Sequence, residues 1–187
     1  MSNEDLPQEL IDAVPELAPP KALAPMPIAP SGPSKKAIAA ASLAAALAAP
    51  CEGLRHYVYA DPVGIQTYCF GETRNPIPGK FYSTAECKDL LTSDMAKVVS
   101  MVDKCQPGLP VSVLGAFGSA AYNMGPTLAC NTKSSAAARY LAAKQYIKAC
   151  DQLPNWDKAR VAGVEVALPG LVKRRAEEQA ACLKGLS

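Results

Sequence analysis

Seven cysteines are spread along the 187-residue chain, at positions 51, 69, 87, 105, 130, 150 and 182. Their spacing limits the folds open to it. None belongs to a C-x-x-C pair and the chain has a single His, so no metal site is expected. Intervals this wide suit disulfides that join distant elements in an oxidising compartment such as the periplasm. Buried free thiols, packed as small hydrophobes, are the alternative. An odd number leaves one cysteine over, and six allow about 15 pairings, among which sequence does not choose.

The prolines divide the chain. Residues 1–34 hold eight of the 17 and almost no aromatic or β-branched residues, so they bury too little apolar surface to offset their ordering entropy. They read as a disordered Pro/Ala-rich tail. This tail has five acids against Lys21, a net charge of −4 in a chain of +2, which leaves +6 for the rest. A basic folded part suits an anionic polymer, either nucleic acid or a cell wall, although ordinary solubility charge gives the same balance.

Residues 35–50 form an apolar segment, Lys35-Lys36 followed by AIAAASLAAALAA over 37–49. Thirteen residues fall short of the ~20 that span a bilayer. They match the apolar stretch of an export signal, with initiation at Met26 in place of Met1 giving a conventional layout. They equally match a helix of the folded domain, because Ala and Leu are strong helix formers. The two readings are compatible.

Residues 57–70 are rich in aromatic and β-branched types and are split by Asp61-Pro62-Val63-Gly64, a type I turn pattern, so a β-hairpin is expected. Ser83 and Glu86 have the spacing of a capping box. The helix after them carries Cys87, Leu91, Met95, Val98, Val102 and Cys105 on one face, and Pro107 and Pro110 end it. Further helices are expected at about 112–122, 134–151 and 171–184. The fold class is α+β, mostly α, with a small hairpin lobe and a helical lobe.

Three polar residues fall on this framework at telling places. Glu52 is followed by eight residues and Asp61, then by five residues and Thr67. Glu52 falls at a helix end, Asp61 in the hairpin turn and Thr67 on the returning strand. Two carboxyls across a cleft are what glycosidic cleavage needs: one protonated for the leaving oxygen, one ionised for water or the developing positive charge. A hydroxyl can hold the attacking water.

Set in EGLR…YADPVGIQTYCFGET, this pattern closely resembles the phage lysozyme family, glycoside hydrolase family 24. Tyr82 to Cys87 resemble that family's helix start, and Ala121 to Gly125 its central helix turn. Ala149 to Leu153 and Leu168 to Arg175 resemble its C-terminal segments, so the resemblance runs from about residue 44 to 184 and makes 51–187 a lysozyme catalytic domain. It implies a muramidase, or endolysin, with a lysozyme-like two-lobed fold. Such an enzyme hydrolyses the β-1,4 bond between N-acetylmuramic acid and N-acetylglucosamine in bacterial peptidoglycan, for host lysis. The family is understood to invert the anomeric centre. By the resemblance Glu52 is the general acid, Asp61 supports the water or the oxocarbenium-like centre, and Thr67 positions the water.

The chain departs from the family twice. Glu72 stands where members often have His, the mark of a subgroup, and residues 155–163 have altered spacing. Glu72, Asn123, Trp156 and Arg174 are candidate substrate-binding residues. Trp156 also suits the core, Asn123 a helix-to-loop turn, and Arg174 or Arg175 could instead tune the charge of Glu52. His56 reads as solvent-facing.

The six later cysteines stand where the disulfide-containing subgroup has them. Cys51 is the extra one, and in signal-anchor-release relatives such a thiol can serve a redox switch. The resemblance implies no cofactor, no nucleic acid, a monomer, transient membrane association through 37–49 and action in the host periplasm. A non-catalytic wall-binding or virion structural protein with this fold is the alternative outside enzymes. A lytic transglycosylase is the alternative within them.

Overall fold

In the computed structural model, the residues described are 34–61, 64–161 and 163–186. The expected tail, Met26 and the central turn residues Pro62 and Val63 lie outside them. Ser34 accepts a hydrogen bond from the Ala37 amide at 3.1 Å and so caps α1, Lys35–Ala48. The helix buries Ala40, Ala41, Ala44, Ala45 and Ala48, one narrow stripe of small side chains. Among the described residues, no helix is long and apolar enough to cross a membrane.

Helix α2, Thr84–Cys105, starts at the expected capping box, with Ser83 and Glu86 bonded reciprocally. Its buried face is Cys87, Leu91, Met95, Val99 and Val102. Val99 takes the inward place expected of Val98, because the helix turns 100° per residue and the register settles on the 3.6 period from Met95. Helix α3, Val111–Met124, is buried from Val113 through Ala121 and runs through the centre of the helical core, against α1 and α2. Glycine permits that approach: a Cβ on Gly115 would lie 2.8 Å from Leu43 Cδ2, and one on Gly118 2.6 Å from Val99 Cγ2.

The rest of the helical part is short pieces: α4, Thr127–Cys130, α5, Ala136–Ala142, and α6, Tyr146–Cys150. The single helix expected over 134–151 is therefore two. Lys144 adopts φ 57°, and the Gln145 amide closes the break by donating to Tyr140 O at 2.9 Å. No Gly or Pro marks the spot, and apolar residues continue at helical spacing on both sides, so the pattern runs through a break it cannot show. Helix α7, Pro169–Lys184, ends the described chain.

The expected hairpin is β1, Arg55–Ala60, against β2, Gln66–Cys69, with Tyr59 opposite Thr67 and an irregularity between Arg55 and Tyr59. Tyr82 extends it, donating its amide to His56 O at 2.8 Å while its own carbonyl meets His56 Nδ1 at 2.7 Å. His56 is thus partly buried and bonded to the neighbouring chain, and its ring stacks on Phe81. A second hairpin, β3 (Lys158–Val161) with β4 (Val164–Ala167), was not expected. Its signal is Gly163, with φ 85°, ahead of the alternating Val164 and Val166.

Three disulfides join consecutive cysteines: Cys69–Cys87, Cys105–Cys130 and Cys150–Cys182. Cys51 is free and exposed. The bonds fasten β2 to α2, α2 to α4, and α6 to α7. The architecture is α+β and mostly α, as the sequence indicated.

Candidate active site

Helix α1 stops at Ala48, and the amides of Cys51 and Glu52 both turn back to its carbonyl, at 2.9 and 3.2 Å. This places Glu52 between a helix end and the start of β1, its carboxylate 27% exposed. Arg174 reaches it from α7, 122 residues later, donating from Nη1 to Glu52 Oε1 at 2.9 Å. The Arg174 side chain is itself only 4% exposed. A cleft of about 490 Å³ opens over the pair, lined among others by Cys51, Asn123, Leu168, Leu171 and Glu177. The structure thus gathers Glu52, Arg174 and Asn123 at one cleft.

Asp61 follows β1 at the hairpin turn, opposite Ile65, and Thr67 lies on β2 opposite Tyr59. The Asp61 amide donates to Ile65 O at 2.9 Å, and Asp61 Oδ1 accepts from the Ile65 amide at 2.8 Å, which holds the carboxylate at the tip. The Gly64 amide donates to Asp61 O at 2.9 Å. Thr67 is buried on β2 and donates its hydroxyl to Ile65 O at 3.0 Å. Its oxygen lone pairs stay available as acceptors. Neither residue lines the cleft of Glu52.

Glu72 is occupied elsewhere. Its carboxylate accepts from the Thr73 and Arg74 amides at 2.8 and 2.7 Å and from the Arg74 guanidinium, which also bonds Asp94 at 2.6 Å. The Arg74 side-chain bonds, with the two amides, outweigh burial and hold Glu72 down at about 2. A carboxylate depressed on folding stabilises the fold above its unfolded value, near ~4.3, and that contribution is lost as pH falls toward the folded value. Acid unfolding of the wild type should therefore include a component between pH ~4.5 and ~2. Glu72→Gln should lack that component in a circular-dichroism titration. An unchanged acid limb would show that the pair contributes nothing.

Trp156 closes a 3₁₀ turn, Leu153–Trp156, and packs half-buried against the core. Arg175 is fully buried and donates to Asn123 Oδ1 at 3.3 Å.

Sequence reasoning passed over Glu178 and Ser119, both fully buried. Ser119 Oγ donates to Glu178 Oε1 at 2.7 Å, and that oxygen also accepts from Arg174 Nε at 3.3 Å and Arg175 Nη2 at 3.1 Å. The available signal was the i, i+4, i+8 series Arg174, Glu178, Cys182, in which a disulfide cysteine marks the inward face.

A larger cavity, about 560 Å³, lies between the start of α1 and α2. One of its acids, Asp103, is spent on Lys36 at 3.0 Å. The cleft of Glu52 is smaller, but it joins an acid to a buried cation.

Known proteins resemble this chain in sequence and in fold. The family model described as phage lysozyme matches residues 49–178. A SAR-endolysin of Bacteriophage PS34 is 38% identical over 136 residues, covering 72% of this chain and 77% of that protein. A SAR-endolysin of Pseudomonas phage phiKMV is 32% identical over 152 residues, covering 80% and 92%. The solved endolysin from Escherichia coli O157:H7 phage FAHEc1 superposes with a TM-score of 0.62 at 24% identity, covering 80% of this chain and 92% of that one. Its likeness is one of fold. The chain belongs to the phage lysozyme family. It is a glycoside hydrolase of the lysozyme type, a phage endolysin with peptidoglycan as its substrate.

Proposed function

We propose that Glu52 donates the proton to the glycosidic oxygen of the bond between N-acetylmuramic acid and N-acetylglucosamine. From the hairpin that follows Glu52, outside the lining of that cleft, Asp61 then takes a proton from, or orients, the attacking water, while Thr67 accepts that water's other hydrogen bond. The ion pair of Arg174 with Glu52 at the floor of the cleft is the observation that carries this reading. It fixes one carboxylate where a sugar can enter, on the chain segment that leads straight into the hairpin. Arg174 orients the acid, and Asn123, lining the same cleft, meets the substrate. Trp156 and Glu72 act through the shape of the two ends, one packed on the core and the other locked to Arg74.

The enzyme works as a monomer on periplasmic peptidoglycan, and residues 37–49 associate transiently with the inner membrane before the fold closes around α1. The apolar run itself and the similarity to SAR-endolysins support that step. Digestion of purified sacculi tests the reaction: hydrolysis yields reducing ends, whereas a transglycosylase yields anhydro-sugar ends. Binding to sacculi without new ends of either kind would replace the enzyme by a wall-binding protein.

A further inference from the structure

We propose that Glu178 is a positioning residue for the acid: it cancels the charge of Arg175, buried beside the Arg174 that holds Glu52, and so leaves Arg174 to pair with that carboxylate. The inference rests on Glu52 as the acid. Arg174 and Arg175 are 3% and 0% exposed. Two desolvated guanidiniums side by side need a buried anion, and Glu178 stands between them. Its Oε1 bonds both arginines, and Arg175 Nε lies 3.0 Å from Oε2. Ser119 donates to the same Oε1 and its carbonyl accepts from Arg174 Nη2 at 3.4 Å, so α3 braces the arrangement from the opposite side.

Charge counting gives the consequence. With Glu52 ionised, the two arginines and two glutamates sum to zero; with Glu52 protonated they sum to one positive charge. Remove Glu178 and the protonated state faces two positive charges, which disfavour it. A general acid must hold its proton until the leaving oxygen takes it.

Burial pushes Glu178 up and Arg175 down, and each charge counters that shift on the other; among the described residues the remaining neighbours are neutral or offset. Partial desolvation raises the otherwise exposed Cys51 thiol, and burial raises the Tyr122 phenol, so both stay neutral. At the cleft rim Lys173 and Glu177, 3.9 Å apart, offset each other. The partners that Arg175 finds on α3, Asn123 and Met124, are uncharged.

The test is the pH profile of kcat/KM on solubilised peptidoglycan. Glu178→Gln keeps an acceptor for the arginines and should move the alkaline limb to lower pH by about one unit, with KM little changed. Arg175→Gln removes the opposite charge and should move that limb upward. The double variant Arg175→Gln with Glu178→Gln restores the count and should return the limb close to the wild-type position, whatever its stability. A role confined to folding predicts instead that the double variant is at least as impaired as either single one. Alkaline limbs that coincide in all folded variants, or that add in one direction, would overturn the proposal. If Glu52→Gln stays active, the reading of the acid fails; if it is inactive while the limbs do not move, only the role of Glu178 fails.

Discussion

Glu52→Gln should lower the clearing of outer-membrane-permeabilised cells by about 10²–10⁴-fold, the usual share of a general acid in a rate, while leaving circular dichroism unchanged. The amide keeps the shape of the side chain and can still accept from Arg174 Nη1, which lies 2.9 Å from the carboxylate oxygen in the wild type. What it loses is the transferable proton. The fold should survive because Glu178 remains as an anion against Arg174. Retention of more than a tenth of the activity would move the acid to another carboxylate, first of all to Glu177, which lines the same cleft.

The second large effect concerns the bond between Cys150 and Cys182, which ties α6 to α7 across 32 residues. Replacing both by Ala should lower unfolding free energy by about 3–4 kcal/mol on a loop-entropy estimate. Both cysteines are fully buried, so loss of the sulfurs' packing adds to that figure. A denaturant melt measures it, and activity should fall at a lower temperature than in the wild type. The helix that loosens is the one that brings Arg174 to the acid. A change below about 1 kcal/mol would mean that the packing of α7 on α3 already supplies what the bond does.

Much of this was legible because the signals were local. The capping box at Ser83, the prolines 107 and 110 ahead of α3 and the turn pattern at Asp61 each depend on residues close in sequence, and each element formed where expected. The break at Lys144 left no such mark, because a left-handed Lys has no sequence signature of its own. The hairpin at 158–167 did leave one, in Gly163 and the alternating valines, but its strands are only four residues each. The buried ion cluster was the hardest to see. A run of Arg, Arg, Glu and Glu on a C-terminal helix looks like a solvated face, and its packing on α3, with Ser119 bonded to Glu178, shows that part of it turns inward. The disulfide pairing was likewise a matter of tertiary distance.

The acid and the arginine that holds it belong to opposite ends of the folded domain, at residues 52 and 174. A ribosome therefore makes Glu52 some 122 residues before it makes Arg174. Partial products, and chains clipped ahead of the last helix, carry the acid without its partner and without the wall of the cleft that Leu171 and Arg174 form. The cleft is therefore complete only once α7 has been made and has packed against α3.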